Sequence, residues 1–282
     1  MSQLRGALLF CTIAVRAWTT RPAAALVNTP FLDLNADLGE SFGIFVIGDD
    51  ARLLASISSA NLAAGFHGGD PSVLRRTARE AVQRGVAIGA HPSFPDLAGF
   101  GRREMQLSDW EVEDAVLYQI ASVAGVTHAE GGSLRHVKPH GALYNMAARE
   151  GRLAEAIVRA VVAFDRTLLL FAPPGSALED SGRQAGLRVV REGFADRRYG
   201  ADRHLVSRRV QGSVIDDPVS AAQQAVSLAL HGEARTLEGD PVSLQVETIC
   251  VHGDLPGAGE RARAVRAALD AAGVTVRALV RP

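Results

Sequence analysis

Residues 31–40 read FLDLNADLGE, an alternation of apolar and polar side chains. Successive side chains of a β-strand point to opposite faces, so Asp33, Asn35 and Asp37 share one face. Buried carboxylates are costly without partners, so the segment implies a nearby cation, a lysine or a substrate amide. The alternative, a network of caps and turns after the strand, stays open, above all for Glu40.

Strand-like and helix-like segments alternate from residue 31 onward. Short apolar runs predict eight strands, at residues 31–35, 59–64, 86–90, 135–139, 168–172, 187–190, 248–251 and 274–280. Capping residues and apolar faces predict five helices that begin near residues 71, 108, 153, 218 and 258. Repeated β-α units of this kind predict a parallel sheet with helices outside it.

Polar residues cluster at the ends of at least six of these strands: 33–37, 65–67, 90–91, 138–140, 192 and 252–254. A closed barrel gathers such groups at its C-terminal mouth, whereas an open doubly wound sheet gathers ligands from two or three strands. The pattern therefore favours one α/β domain over residues 31–282, folded as an irregular, TIM-like (β/α) barrel.

Composition excludes several classes of protein. The chain has 282 residues, 47% of them apolar, and a net charge of −1, which argues against a nucleic-acid-binding surface. The sequence contains no run of 18 apolar residues, so it predicts no membrane-spanning helix. Cys11 and Cys250 are too few and too far apart for a disulfide framework or a Cys-rich zinc site.

Residues 1–30 differ from the rest because they contain arginines and no acid. A short apolar run followed by Ala23-Ala24-Ala25 has the outline of a secretion signal, although Arg16 and Arg21 interrupt it. A disordered tail and a misassigned start codon are equally simple interpretations. We exclude this N-terminal extension from the predicted fold.

Several residues at the strand ends suggest chemistry. His67, His91, His140 and His252 follow apolar strands, and four histidines at equivalent positions favour a site over isolated structural roles. Lys138 is the only lysine among 30 basic residues. A lysine kept where arginine is the rule suggests a need for a compact ammonium that can lose its proton when desolvated; chance retention is the alternative.

Glu192 also follows a strand, and Asp196 with Arg197 lies just beyond it. The planar fork of an arginine suits a substrate carboxylate, and a surface ion pair is the alternative. The sequence has no GxxxxGK[ST] phosphate loop, no GxGxxG after the first strand and no GxSxG elbow. These absences disfavour a standard ATP loop, a Rossmann cofactor site and an α/β-hydrolase.

Seven motifs, in family order, resemble the LamB/YcsF family: DLNADLGE (33–40), SANLAAGFHGGD (59–70), GAHPSFPD (89–96), GFGRR (99–103), HVKPHGALYN (136–145), FADR (194–197) and CVHGD (250–254). The resemblance runs from about residue 31 to about residue 276. It departs from the family at Ala64, where a cysteine is usual, and in the extra residues 1–30.

The resemblance implies an irregular (β/α) barrel similar to that of sugar deacetylases. It also implies the A subunit of a 5-oxoprolinase, a hydrolase that opens 5-oxoproline to glutamate with ATP and with two partners, the B and C subunits. The missing phosphate loop suggests that ATP sits partly or wholly on those partners. A cytoplasmic location follows, unless the N-terminal extension directs export. A divalent metal and a homo-oligomer stay open.

We predict catalytic roles for five residues: Asp37, His67, Lys138, His140 and Glu192. We predict that nine more bind substrate: Asp33, Asn35, Asn61, His91, Asn145, Asp196, Arg197, His252 and Asp254. Two other functions stay open. One is an autonomous metal-dependent amide hydrolase or deacetylase with Asp37, His67 and His140 as metal ligands. The other is a non-catalytic protein that binds lactams or sugars.

Overall fold

The computed structural model describes residues 30–280. The strands in this part are β1 (Phe31–Leu38), β2 (Ser59–Leu62), β3 (Ala87–Ala90), β4 (Leu134–Val137), β5 (Leu169–Ala172), β6 (Arg188–Phe194), β7 (Glu233–Arg235), β8 (Pro241–Ser243), β9 (Thr248–Val251) and β10 (Thr275–Val276). The helices are α1 (Asp50–Leu54), α2 (Pro71–Gln83), α3 (Asp109–Ala129), α4 (Gly141–Ala147), α5 (Gly151–Phe164), α6 (Ala177–Gln184), α7 (Pro218–His231) and α8 (Ala258–Ala271). Residues 1–29 lie outside the described residues, and the predictions of a signal, a tail or a misassigned start fall on them.

Seven parallel strands close into a barrel. β1 pairs with β2, and the pairing continues in order through β3, β4, β5 and β6 to β9, which pairs back onto β1. In the closing register Asp33 lies beside Thr248, and Ala36 lies beside Val251. The closed ring confirms the predicted irregular, TIM-like (β/α) barrel and excludes the open sheet.

The eighth predicted strand, 274–280, is wrong in extent. Only Thr275–Val276 forms a strand, and it pairs with Phe31 and Leu32 outside the ring. This happens because β1 is eight residues long and extends beyond its ring neighbours at its N-terminal end, where pairing with β9 begins only at Asp33. The first two residues of β1 are therefore free to pair with β10.

All five predicted helices form close to the predicted positions, and the helix predicted from its apolar face alone is α5. The Asp70 carboxylate accepts hydrogen bonds from the first-turn N–H groups of α2, with Pro71 at its first position. Gly232, at φ 64°, ends α7 in the left-handed conformation. The short helices α1, α4 and α6 and the β7–β8 hairpin were not predicted, because each is too short to show a periodic pattern. Between residues 30 and 280, no helix has the length and apolarity that crossing a bilayer requires.

The strands bury both of their faces. The outward side chains of β1, such as Leu34 and Leu38, belong to the large core between the barrel and its helices. The inward side chains Asp33, Asn35 and Asp37 are buried as well. The predicted shared face of these three residues is therefore the barrel interior, which they share with a small apolar cluster of Leu169, Phe171 and Val190.

Candidate active site

A pocket of about 870 Å³ opens at the C-terminal ends of the barrel strands. Asp37, Lys138 and Glu192 line its buried end, and they come from β1, the residue after β4, and β6. All the barrel strands run in the same direction, so their carboxyl ends meet at one mouth. The rest of the lining is rich in arginine: Arg102, Arg103, Arg149, Arg197, Arg203, Arg208 and Arg209.

Lys138 is the central cation of the buried end. Its Nζ lies 2.9 Å from Oδ1 of Asp37, 3.1 Å from Oε1 of Glu192 and 2.9 Å from Sγ of Cys250. Burial disfavours the ammonium, but attraction to Asp37, followed by Cys250 and Glu192, raises the pKa of Lys138 well above its ordinary value. These contacts favour the ammonium form of Lys138 over the neutral amine.

Asp37 is held as a carboxylate by the same cluster. Burial alone would raise its pKa, but His91 and Lys138 hold the pKa of Asp37 well below its ordinary value. Nε2 of His91 lies 3.4 Å from Oδ1 of Asp37. An ionised carboxylate and an ammonium therefore face each other where a substrate would reach the end of the pocket.

A chain of hydrogen bonds connects this cluster with the barrel interior. Nδ2 of Asn61 donates to Oδ1 of Asn35 (2.7 Å) and to Oδ1 of Asp37 (2.9 Å). Nδ2 of Asn35 donates to Oε1 of Glu192 at 3.0 Å. Nε2 of His136 donates to Oδ1 of Asn61 at 2.7 Å. Because donors and acceptors alternate along this chain, it fixes the orientation of each amide.

His136 fits inside the barrel because the facing residue, Gly89, has no side chain. A Cβ at position 89 would lie 2.1 Å from Nε2 of His136. The imidazole stacks on Phe171 with the ring centroids 4.3 Å apart. Burial lowers the pKa of His136 to about 3, so the ring is neutral at ordinary pH.

Asp33 lies at the other end of the barrel. Its carboxylate accepts hydrogen bonds from the hydroxyls of Ser58 (2.7 Å), Ser59 (2.6 Å) and Thr248 (2.6 Å). Four residues of strand separate it from Asp37, about 13 Å at a rise of about 3.3 Å per residue. The structure does not bring Asp33 to the pocket that substrate would enter.

His252 is held at the pocket wall by Asp196. Its Nδ1 donates to Oδ1 of Asp196 at 2.8 Å, and its backbone N–H donates to Oδ2 at 2.9 Å. Burial alone would raise the pKa of Asp196, but His252 holds that pKa well below its ordinary value. With Nδ1 carrying the proton, the lone pair of His252 is on Nε2, which has no hydrogen-bond partner among residues 30–280.

Asp196 and Arg197 take different partners rather than pairing with each other. Nη2 of Arg197 donates to the carbonyl of Val206, and its buried Nε has no partner in the described part of the chain. Burial lowers the pKa of Arg197 to about 10. At the edge of the pocket, Asp254 accepts from Arg102 at 2.7 Å and from Arg208 at 3.3 Å.

Four buried side chains form a second group beside Asp37, here called the His/Glu cluster: Glu40, His67, His91 and His140. Oε1 of Glu40 lies 3.2 Å from Nε2 of His67 and 3.5 Å from Nδ1 of His140. Nδ1 of His140 lies 2.9 Å from Nε2 of His91, and the rings of His67 and His140 stack at 3.8 Å. The liganding atoms all lie within 4.8 Å of one another, so this cluster can hold a metal ion.

Comparison with known proteins gives this site its family. The LamB/YcsF family model matches residues 32–282. The chain belongs to the LamB/YcsF family. It is 53% identical over 247 residues to the 5-oxoprolinase A subunit of Symbiobacterium thermophilum, covering 88% of this chain and 95% of that one. The relative of the same name from Chloroflexus aggregans is 53% identical over 246 residues, 87% of this chain and 98% of that one.

A crystal structure of a lactam utilization protein from Thermus thermophilus has the same fold. It superposes with a TM-score of 0.84 at 51% sequence identity, covering 88% of this chain and all of that one. The LamB/YcsF barrel therefore matches an experimental structure over nearly the whole described length.

Most of the residues predicted from the sequence meet at the mouth of this LamB/YcsF barrel. Those that line the pocket are Asp37, His91, Lys138, His140, Asn145, Glu192, Arg197 and His252. Those that contact lining residues from behind are Asn35, Asn61, His67 and Asp196. Asp254 joins them through Arg102 and Arg208, and Asp33 does not join them.

Sequence reasoning missed three members of the LamB/YcsF site and left a fourth open. His136 precedes Lys138 by two residues, so strand alternation already placed it on the inner face. Tyr144 lies one turn after His140 and donates to Oε2 of Glu192 at 2.8 Å. Cys250, next to the barrel closure, gave no signal because a buried cysteine usually behaves as a small apolar residue. Glu40 was left open between a turn and a site.

The ligands expected for a metal-dependent hydrolase, Asp37 with His67 and His140, are not the ones that the LamB/YcsF structure groups together. Asp37 falls instead in a group with Cys250 and His252. The ammonium of Lys138 lies 2.9 Å from both Asp37 and Cys250, so that group already contains a cation. The His/Glu cluster contains no lysine or arginine.

Proposed function

We propose that this chain is the A subunit of an ATP-dependent 5-oxoprolinase, which hydrolyses 5-oxoproline to L-glutamate while ATP becomes ADP and phosphate. Relatives named as 5-oxoprolinase A subunits support this, because the match covers 95% and 98% of their length at 53% identity. The B and C subunits would be the partners of the chain. Because ATP is a cytoplasmic metabolite, the proposed reaction belongs in the cytoplasm.

The buried ammonium of Lys138 is the observation that carries this proposal. In the ATP-coupled reaction the carbonyl oxygen of the lactam accepts a phosphoryl group, so negative charge lies next to that oxygen during phosphoryl transfer and during the attack of water. A fixed cation in a site with little water stabilises that charge far better than it would in bulk solvent. Asp37 and Glu192 hold the ammonium from the barrel side, so it needs no rearrangement during the reaction.

ATP would supply the driving force, because a five-membered lactam is a stable amide. Transfer of the γ-phosphoryl group to the lactam oxygen releases ADP. A first water adds to the same carbon, and the ring nitrogen leaves as the amine, giving an acyl phosphate. A second water then releases phosphate and leaves the γ-carboxylate of glutamate. Each water must lose a proton as it attacks, so the step needs a general base.

His252 is the residue best placed to take that proton. Asp196 fixes the proton of His252 on Nδ1, which leaves Nε2 as a proton acceptor at the pocket wall. This moves His252 and Asp196 from substrate binding to proton transfer. The arginines of the pocket, above all Arg197 with its free Nε, would bind the substrate carboxylate and the phosphoryl group.

An exposed apolar loop supports binding to a partner protein. Ile44, Phe45 and Val46 are 89%, 69% and 84% exposed, and they lie in the loop that follows β1 on the mouth side of the barrel. Contiguous exposed apolar side chains commonly mark protein interaction sites. A partner bound to this loop would lie beside the pocket, where a nucleotide held by that partner could reach the lactam.

Reconstitution tests the proposed function. The A, B and C subunits are mixed with 5-oxoproline, and glutamate release is measured with ATP and with a non-hydrolysable ATP analogue. We expect glutamate only with ATP and the complete set of three, and little from this chain alone. ATP-independent hydrolysis by the isolated chain would favour the autonomous hydrolase. Lactam binding without turnover in the full mixture would favour the non-catalytic lactam-binding protein.

A further inference from the structure

The proton positions of two histidines in the His/Glu cluster are set by backbone carbonyls. Nδ1 of His91 lies 2.7 Å from the carbonyl oxygen of Lys138, and Nε2 of His140 lies 2.9 Å from that of Phe100. A carbonyl only accepts hydrogen bonds, so each of these nitrogens carries the proton. In the neutral rings the lone pairs are therefore on Nε2 of His91 and Nδ1 of His140.

These two lone pairs point at each other. Nε2 of His91 and Nδ1 of His140 are only 2.9 Å apart, and two lone pairs cannot form a hydrogen bond. Oε1 of Glu40, another acceptor when ionised, lies 3.5 Å from the same Nδ1. Three converging acceptors require either one more proton, on an imidazole or on Glu40, or a metal cation.

The surroundings favour a metal over a proton. Metal-binding histidines usually donate their second N–H to a backbone carbonyl or carboxylate, as His91 and His140 do here. His67 adds a third nitrogen, its Nε2, 3.2 Å from Oε1 of Glu40. Among the described residues, no lysine or arginine forms an ion pair with Glu40, whose ion-pair partners there are His67 and His140.

The loop after β3 is shaped to enclose this cluster. Phe100 adopts a left-handed conformation, at φ 55°, which is uncommon for a bulky residue, and its carbonyl accepts from His140. Gly101, at φ 66°, lets the loop approach closely, because a Cβ there would lie 2.8 Å from Cδ2 of His140. The backbone is thus held in an unfavourable conformation where it orients an imidazole.

We propose that the His/Glu cluster binds one divalent transition metal ion, with Nε2 of His67, Nε2 of His91, Nδ1 of His140 and the carboxylate of Glu40 as ligands. Three imidazoles and one carboxylate suit Zn²⁺, and Co²⁺ as its substitute, better than Mg²⁺, Ca²⁺ or Mn²⁺, which prefer oxygen. The ligand atom Nε2 of His91 lies 3.4 Å from Oδ1 of Asp37, so the ion would lie close to that carboxylate. This inference does not rest on the proposed function, since it concerns metal binding alone.

Metal content of the full chain tests the proposal. The protein is stripped with a chelator, reloaded with Zn²⁺ or Co²⁺, passed through a desalting column and analysed by mass spectrometry for metal. We expect one ion per chain, and with Co²⁺ the visible absorption bands of nitrogen and oxygen coordination. His140→Gln and Glu40→Gln should weaken binding by about 10- to 100-fold or more. The exposed His128→Gln is the matched control and should keep full stoichiometry.

Thermal melts of each variant separate lost ligands from lost folding. If both variants fail to fold, the unmodified chain still decides the question through its stoichiometry and its Co²⁺ spectrum. A folded chain that retains neither Zn²⁺ nor Co²⁺ would overturn the proposal, and the cluster would then hold a proton. Metal that binds equally well to His140→Gln and Glu40→Gln would overturn it too, because the ion would then lie elsewhere.

Discussion

Nζ of Lys138 and Oδ1 of Asp37 lie 2.9 Å apart at the closed end of the pocket, and both residues are at most 5% exposed. Glu192 shares the same cation at 3.1 Å. Replacing a buried ion pair with apolar residues is often harmless to stability, whereas removing one partner is strongly destabilising. A lysine kept in this position therefore points to a use for the charge itself.

Lys138→Arg should fold and yet lower glutamate release by the reconstituted complex by about 100-fold or more. The guanidinium is broader than an ammonium and cannot keep three partners within 3.1 Å in the same place. Activity and melting temperature are measured on the same preparation. Arg263→Lys, the reverse exchange at an exposed residue of α8 outside the pocket, is the control and should stay active. Near-normal turnover by folded Lys138→Arg would sink the idea.

Asp196→Asn should lower kcat by at least about 100-fold, which is the lower end of what general base catalysis contributes. An asparagine can present its NH₂ to His252, so the imidazole proton moves to Nε2 and the base is lost. The fold should survive, because the amide replaces the carboxylate almost isosterically. Asp216→Asn, at an exposed position, serves as the control. Unchanged kcat in Asp196→Asn would rule out the Asp196–His252 pair as the base.

Stability should fall as the pH drops below about 6.5, in part because of His136. Its pKa is about 3 in the folded chain against 6.5 in the unfolded one, so between these values only the unfolded chain takes up the proton. The contribution of neutral His136 to the free energy of unfolding is complete above pH 6.5. Between pH 6.5 and pH 3 it is lost at up to about 1.4 kcal/mol per pH unit as the pH falls. Urea unfolding at pH 7 and pH 5 measures it.

His136→Gln should be less sensitive to pH over the same range, whatever its stability at pH 7. The exposed His128→Gln variant should keep the dependence of the unmodified chain. Equal pH dependence in all three proteins would mean that His136 is not held neutral by burial.

Gly89→Ala should destabilise the barrel by about 1–3 kcal/mol, the usual cost of overpacking. The new Cβ would lie 2.1 Å from Nε2 of His136 and would displace the ring from Phe171. Gly125→Ala is the matched control, because Gly125 lies inside α3 with open space around it. That change should stabilise by about 0.5–1 kcal/mol. Chemical denaturation that ranks the two variants in the opposite order would contradict the packing described here.

Ile44→Ser combined with Val46→Ser should weaken co-purification with the B and C subunits while leaving the melting temperature unchanged. Both side chains are more than four-fifths exposed, so they contribute little to the fold but offer apolar area to a partner. Val219→Ser, at an apolar residue 62% exposed on α7, is the control. Normal assembly of the double variant would show that the partners bind elsewhere.

The barrel could be predicted because its signals are local and repeated. Polar residues follow the apolar run at six of the strand ends. Asp70 marks the start of α2, and Gly232 marks the end of α7. The number of strands in the ring could not be predicted. It depends on which strand pairs with β1 at Asp33, a contact between residues 215 positions apart.

The site was predicted as a group of residues rather than as a set of contacts. Alternation placed Asp37 and Asn35 on the inner face, but it also placed Asp33 there, and depth along a strand is not visible in a period of two. Nothing in the sequence shows that Lys138, with its partners Asp37, Glu192 and Cys250, forms a group separate from the His/Glu cluster. That division arises because Lys138 reaches Asp37 across the barrel, while the left-handed turn at Phe100 fixes His140 beside His91.

The position of the only lysine has a practical consequence for solution work. Lys138 is 2% exposed, so no lysine side chain lies on the protein surface. Amine-directed cross-linkers and dyes will therefore find no reactive side chain there, although the chain contains 29 arginines. Isotopic labelling of lysine gives the opposite benefit, because a single ammonium resonance will report from the closed end of the pocket each time a ligand enters.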